Sequence, residues 1–216
     1  MSRRAAARCI KSGRRVGVRV LPFAAIPKTE AARECTAAGL ELAWFESQAS
    51  DPYAVIGCFL SHYYLWRRCL AARRPILVLE HDAVFSQPVP EVPHNGLLNI
   101  GRPSWMSGLE TDWYELEPEG VRPYCFTQFR GAFAYLLTPE RADHLIDLAK
   151  TQGIWPVDEF INRRTSPFIE MLKPALVAHH GFFSSIQKAG LWIDGGPCQD
   201  DVWRHYGAVP QADGAP

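Results

Sequence analysis

Hydrophobic positions along the chain switch between two periods. Across 54–72, Phe59, Leu60, Tyr63, Trp66, Cys69 and Leu70 recur at three- and four-residue spacing, the stripe of an amphipathic helix. Asp51 and Pro52 suit its N-cap and first position, and Pro75 stops it. The run Ile76 to Leu79 is apolar without alternation, which predicts a strand buried on both faces of a parallel sheet. Val16 to Phe23 and Leu40 to Phe45 read as further strands. Lys28 to Ala38 reads as a helix ended by Gly39, and residues 2–12 as a helix capped by Gly13. Strand, helix and strand in succession predict a βαβ unit with a right-handed crossover.

Beyond Asp82, Pro88, Pro90 and Pro93 predict an extended loop, and Leu97 to Ile100 a short strand. Residues 101–124 show no period; a segment of that length within a compact domain predicts a functional loop or lid. Ala132 to Leu137 reads as a strand. Thr138 caps a helix running to about Lys150, Asp158 starts a short helix to Arg163, and Ala175 to Ala178 is a last strand. The pattern predicts an α/β fold: one domain over residues 1–205, a mostly parallel central sheet flanked by helices, and a loose tail over 206–216.

Composition narrows the function classes. The chain has 216 residues, 47% hydrophobic, enough for a proper core. Its formal net charge is zero, which argues against a general nucleic-acid binder. Basic residues still cluster, seven of them between Arg3 and Arg19, with Arg67, Arg68, Arg73 and Arg74 as a second group. These read as solvated helix faces or as an attraction for a phosphate-bearing substrate. None of the six cysteines forms a C-x-x-C pair. Cys58 and Cys69, on one helix, would stand roughly 16 Å apart, too far to bridge. Reduced, buried thiols predict a cytoplasmic protein. No apolar run reaches the roughly 18 residues of a membrane span, and the basic N-terminus lacks the apolar stretch of a signal peptide.

The chemistry concentrates where the apolar strand ends. Glu80, His81 and Asp82 fall at its carboxyl end, the edge where open α/β sheets bind ligands. Two carboxylates beside an imidazole suit a hard divalent cation and, through it, a phosphate. A polar turn with solvated carboxylates is the plainer reading.

Several segments together resemble a known family. Gly57 to His62 (G-C-F-L-S-H), Trp66, and Pro75 to Asp82 (P-I-L-V-L-E-H-D) resemble the pattern of glycosyltransferase family 25, the lipooligosaccharide and collagen galactosyltransferases. Gly131 to Pro139 (G-A-F-A-Y-L-L-T-P), with Ala142 and Leu145, resembles a second segment of that family, and Pro156-Val157-Asp158 with Phe160 a third. The resemblance implies a GT-A-like fold. It implies an inverting transferase that moves galactose or glucose from a UDP-sugar to a saccharide or lipid-linked saccharide acceptor, with Mn²⁺ (or Mg²⁺) as cofactor. Peripheral membrane association is compatible with such an acceptor.

By the same resemblance Asp82 and Glu80 match the metal-binding acids, and Glu80 could instead reach the ribose. His81 departs from the family's central Asp; strand alternation turns that side chain away from the metal. Asp158 matches the family's P-x-D aspartate and would be the base that takes the acceptor's proton, with Glu159 a less favoured substitute; a helix N-cap is the plainer reading of Asp158. Ser61 and His62 match the family's S-H pair and would serve the donor site, against a satisfied core histidine. Gly131 and Tyr135 would line the sugar pocket, against simple strand packing and close backbone approach. His180, with His179 as the other option, would complete the metal shell, against a surface pair. Family members begin with a strand and loop that precede Ser2-Arg3-Arg4 in the pattern, so that first strand is expected to be missing here. A catalytically silent sugar-nucleotide or glycan-binding protein is the rival reading, and a metal-dependent hydrolase a third.

Overall fold

A computed structural model describes residues 3–41, 51–102, 114–126 and 128–179. In chain order the elements are α1 (Arg3–Arg15), α2 (Ala31–Ala38), α3 (Pro52–Ala72), β1 (Ile76–Leu79), β2 (Ala83–Phe85), β3 (Leu97–Asn99), β4 (Gly120–Pro123), β5 (Ala134–Leu137), α4 (Pro139–Gln152), α5 (Val157–Phe160), β6 (Glu170–Lys173) and β7 (Val177–His179).

The long helix forms as its sequence predicts. The Asp51 side chain accepts a hydrogen bond from the Ala54 amide, Pro52 opens the first turn, and Arg73 ends the helix in the left-handed region at φ 51°. One face buries Phe59, Leu60, Tyr63, Trp66 and Cys69. That face meets α4, which buries Ala142, Leu145, Ile146 and Ala149. Phe59 stands edge-on to both Trp66 and Phe160, tying α5 to the same core.

The main sheet has the order β1-β5-β3-β6-β4. Its residues alternate between two cores as strand geometry requires. Ile76, Val78, Leu97, Tyr135, Leu137 and Met171 face the α3–α4 layer. Leu77, Leu79, Leu98, Ala134, Leu136 and Leu172 face a second core with Cys9 of α1 and Phe85 of β2. Strands β2 and β7 pair in a separate two-stranded antiparallel sheet, with Ala83 opposite His179.

Expectation and structure differ first in strand direction. The fold is α/β, but β1–β5, β5–β3 and β6–β4 are antiparallel and only β3–β6 is parallel, so the sheet is mixed rather than mostly parallel. The cause is local. Val16 to Phe23 is irregular extended chain, Leu40 is in no strand, and 42–45 lie outside the described residues. Among the described residues no strand enters α3, and most of the predicted Leu40 to Phe45 strand of the βαβ unit lies outside them. Among the described residues strand β1 also lies at a sheet edge: only Val78 is buried, and Ile76, Leu77 and Leu79 are half-buried. An all-apolar run therefore does not mark a central strand here.

Smaller corrections share one cause, close backbone approach. Gly13 lies inside α1 rather than capping it; a Cβ there would come 2.6 Å from Val20 Cγ2, where the chain folds back under the helix after Gly17. Asp158 is not an N-cap either, since Pro156 holds that position. The short strands β2, β4 and β6 gave no periodic signal in the sequence. The 101–124 segment contains β4 and helical residues 114–116; its residues 103–113 lie outside the described residues. Cys9, Cys35, Cys58 and Cys69 are free.

Candidate functional site

The amide of Glu80 donates to the Phe133 carbonyl at 2.8 Å, extending the β1–β5 ladder one residue beyond the strand. The amide of Ala83 then donates to the Glu80 carbonyl at 3.2 Å, closing a turn over His81 and Asp82. The turn leaves Glu80 partly exposed and buries Asp82. Sequence periodicity could place these residues at a strand end; the turn is what separates their surroundings.

Asp82 meets β7. Its Oδ2 lies 3.0 Å from Nε2 of His179, while its Oδ1 is buried with no hydrogen-bond partner. Burial pushes the Asp82 carboxyl up, but the His179 hydrogen bond and charge, with the charge of His81, hold it below its ordinary value. Burial pushes His179 down, and the bond to Asp82, with the charges of Asp82 and Glu80, outweighs it and raises the imidazole. His179, the second option of the sequence reading, is therefore at the cluster. His180 lies outside the described residues.

His62 comes from α3 and is buried. Its Nε2 lies 3.6 Å from Glu80 Oε1, a charge contact longer than a hydrogen bond. Its Nδ1 lies 2.8 Å from the hydroxyl of Tyr135, which also accepts from Trp66 Nε1 at 2.9 Å. Indole can only donate. The fully buried Tyr135 hydroxyl must place its own proton, and His62 Nδ1 is the acceptor within reach. The inventory thus assigns His62 the Nε2–H tautomer, with that N–H turned toward Glu80. Cys58, His62 and Trp66 share one helix face at four-residue spacing, a signal the sequence offered for Cys58 and the sequence reading missed.

Cys58, His62 and Glu80 place one ligand atom each within 4.8 Å of one another, a possible metal-binding triad. Using it requires moving the His62 proton onto Nδ1 and ionising Cys58. Burial, and then the charges of Glu80, Asp158 and Asp82, push that thiol well up. The donor set nearer to a hard cation is carboxylate: the unpartnered Asp82 Oδ1 and the partly exposed Glu80.

Asp158 arrives from α5, and its carbonyl accepts from the Phe129 amide at 2.7 Å. Enclosure by protein raises its carboxyl first, and the charge of Glu80 adds to it, against the amides of Asp158 and Glu159 and the charge of Arg130. Asp158 is exposed and Cys58 half-buried, yet protein crowds both enough to penalise their charge. Glu159 is raised too, by burial and then by Asp158.

Two expected donor-site residues have their polar groups engaged elsewhere. Ser61 Oγ accepts from the Ile26 amide at 2.9 Å and donates to the Gly57 carbonyl at 2.6 Å. A Cβ on Gly57 would lie 2.6 Å from the Ile26 carbonyl oxygen. Gly57 and Ser61 thus fasten the 22–27 segment to α3. Gly131 has φ 95°, and a Cβ there would meet Asn99 Nδ2 at 2.9 Å. Asn99 itself donates to the Arg130 carbonyl at 2.7 Å and accepts from the Gly101 amide at 2.8 Å. Tyr135 is buried at the base of the cluster and reaches it only through His62.

Comparison with known proteins gives two matches. The family model of glycosyltransferase family 25 (LPS biosynthesis protein) matches residues 22–126. A glycosyltransferase 25 family member from Aedes aegypti is 29% identical over 138 residues, covering 52% of this chain and 21% of that protein. The chain therefore spans about a fifth of the length of the curated relative it matches. The family-model match contains Cys58, His62, Glu80 and Asp82; Gly131, Tyr135, Asp158 and His179 lie beyond it.

Proposed function

We propose, from the match of residues 22–126 to the model of glycosyltransferase family 25, that the chain transfers a sugar, galactose or glucose, from a UDP-sugar to a saccharide or lipid-linked saccharide. We read its α/β domain, residues 1–205, as GT-A-like, and its place as the cytoplasm. What supports the proposal is that Glu80 and Asp82 flank one turn at the carboxyl end of β1, and that the charge of Glu80 reaches the carboxyl of Asp158. Asp158 lies 78 residues after Glu80 in sequence (158 − 80), yet the charge of Glu80 bears on its carboxyl.

In this reading Glu80 and Asp82 hold a hard divalent cation, Mn²⁺ or Mg²⁺, which would neutralise charge on the departing diphosphate. Asp158 accepts the proton of the acceptor hydroxyl as that oxygen bonds to the anomeric carbon. The bond from that carbon to the diphosphate oxygen breaks with its electron pair, and UDP leaves. A raised carboxyl is the stronger base once ionised, and its exposure leaves an acceptor a path to it. His62 turns an N–H toward Glu80 and limits where that carboxylate settles. Ser61, Gly131 and Tyr135 support the donor site from behind, by fixing the 22–27 segment, the Asn99 turn and the His62 ring.

Turnover of UDP-sugars with and without Mn²⁺ tests the proposal. Asp158→Asn should cut transfer strongly and keep donor binding; lost binding would mark Asp158 as structural. One observation favours a rival: His179 already occupies Asp82 Oδ2. A silent sugar-nucleotide binder would show UDP binding by calorimetry with no transfer across a donor and acceptor panel.

A further inference from the structure

Residues 1–29 contain eight Lys or Arg and no Asp or Glu; the first acid of the chain is Glu30. With formal net charge zero overall, the chain has separated its charge rather than acquired an excess. The structure shows where that charge goes. Helix α1 buries Ala5, Cys9, Ser12 and Gly13 against the second core and exposes Arg3, Arg4, Lys11, Arg14 and Arg15. Arg19 continues the exposed series beyond the helix. These six cations have no ion-pair partner among the described residues. Cations of the next segments do: Lys28 pairs with Asp51, and Arg33 with Glu30 and Glu34.

This arrangement works against the helix that carries it. Arg4, Lys11 and Arg15 follow one another at spacings of seven and four, so like charges line one face. Arg3 and Arg4 stand at the N-terminus, where the helix dipole disfavours cations, and the first turn has no acid. An anionic surface opposite this face would relieve the repulsion.

Two further observations say what kind of surface. Leu21, two residues after Arg19, is 67% exposed, an apolar side chain at the margin of the charged face. Further along, the Arg68 guanidinium of α3 stands 5.7 Å over the ring of Phe23. Charge beside an exposed leucine fits a bilayer, with cations at the headgroups and the leucine at the acyl boundary. A nucleic acid would use the charge but has no place for the leucine, and Phe23, half-buried beneath Arg68, offers no open ring for base stacking.

We propose that the outer face of α1, with Arg19 and Leu21, is a docking surface for an anionic lipid bilayer. It holds the protein peripherally: α1 keeps its buried face in the protein, and among the described residues no helix is long and apolar enough to cross a membrane. The docking does not depend on the transfer reading, so either can fail alone.

Co-sedimentation of the full chain with vesicles tests it. Binding is expected to vesicles of phosphatidylcholine with phosphatidylglycerol, to be weak on phosphatidylcholine alone, and to fall steeply as salt rises. The triple variant R4Q/K11Q/R15Q should bind the anionic vesicles about tenfold or more weakly, and should melt no lower than the parent, because its like-charge contacts are relieved. L21S should weaken binding and leave its salt dependence in place. Equal binding to both vesicle types would overturn the proposal. So would unchanged binding by the folded triple variant, or equal affinity for a DNA duplex at the same salt.

Discussion

The hydroxyl of Tyr135 lies 2.8 Å from Nδ1 of His62, 73 residues away in sequence, and their rings stack at 5.9 Å. The helix supplies the imidazole and the sheet supplies the phenol. Trp66, one turn after His62, saturates the hydroxyl from the other side. The consequence is a histidine whose proton position is set from behind.

Tyr135→Phe removes that control. The Trp66 indole N–H and His62 Nδ1 both lose a buried partner, at a cost of roughly 1–3 kcal/mol, read from denaturant midpoints. Nitrogen-15 NMR should show Nε2-protonated His62 in the parent and a tautomer mixture in the variant. A parent spectrum with the proton on Nδ1 would reverse the assignment and leave Nε2 open as a metal ligand beside Cys58.

Asp158 should trade stability for activity. Its folded pKa is raised, so ionising it above that value costs folding free energy. Asp158→Asn is expected to leave stability at neutral pH unchanged or higher while transfer falls by about 10²–10⁴-fold. Because a base must be ionised, the parent's transfer rate should fall on its acid side at a pH above the ordinary aspartate range. A profile flat through that region would remove Asp158 from the proton transfer.

The Asp82–His179 pair should stabilise the fold in a bounded window. Asp82 is lowered, so its contribution is present above the ordinary aspartate pKa and lost as pH falls through the folded value. His179 is raised, so its contribution is full below the ordinary histidine pKa and lost as pH rises through the folded value. The stability difference between parent and His179→Gln should therefore peak between about pH 4 and 6.5 and shrink on both sides. Mg²⁺ bound at Asp82 would oppose protonation of the neighbouring ring, so adding it should lower the His179 pKa, measured by proton NMR. An unmoved pKa at saturating Mg²⁺ would place the cation elsewhere.

Gly57 and Ser61 can be tested as a clamp. Gly57→Ala puts a Cβ into the Ile26 carbonyl and should cost about 1–3 kcal/mol. Ser61→Ala leaves the Ile26 amide without its acceptor and should cost about 1–2 kcal/mol. In both variants hydrogen exchange at Ile26 should quicken. Slow exchange there would show that the 22–27 segment is held by something other than α3.

The sequence by itself determined the local elements and the chemistry they carry. The α3 stripe, its Asp51 cap and the acidic end of β1 are readable because helix period, capping and strand ends depend on neighbours in the chain. The family pattern was legible for the same reason, since its motifs are short and lie in order. The tertiary structure decided which strands pair, in which direction, and which polar groups face each other. An apolar run cannot say whether its strand is central or at an edge, and β1 pairs antiparallel to β5 at the sheet edge among the described residues. Nor can a motif say whether a conspicuous side chain faces a carboxylate or fastens the backbone behind it. Ser61 and His62 are adjacent in one motif, yet one holds Ile26 and the other faces Glu80. A helix turns about 100° between successive residues, and only packing against the extended segment on one side and the sheet on the other gave each residue its task.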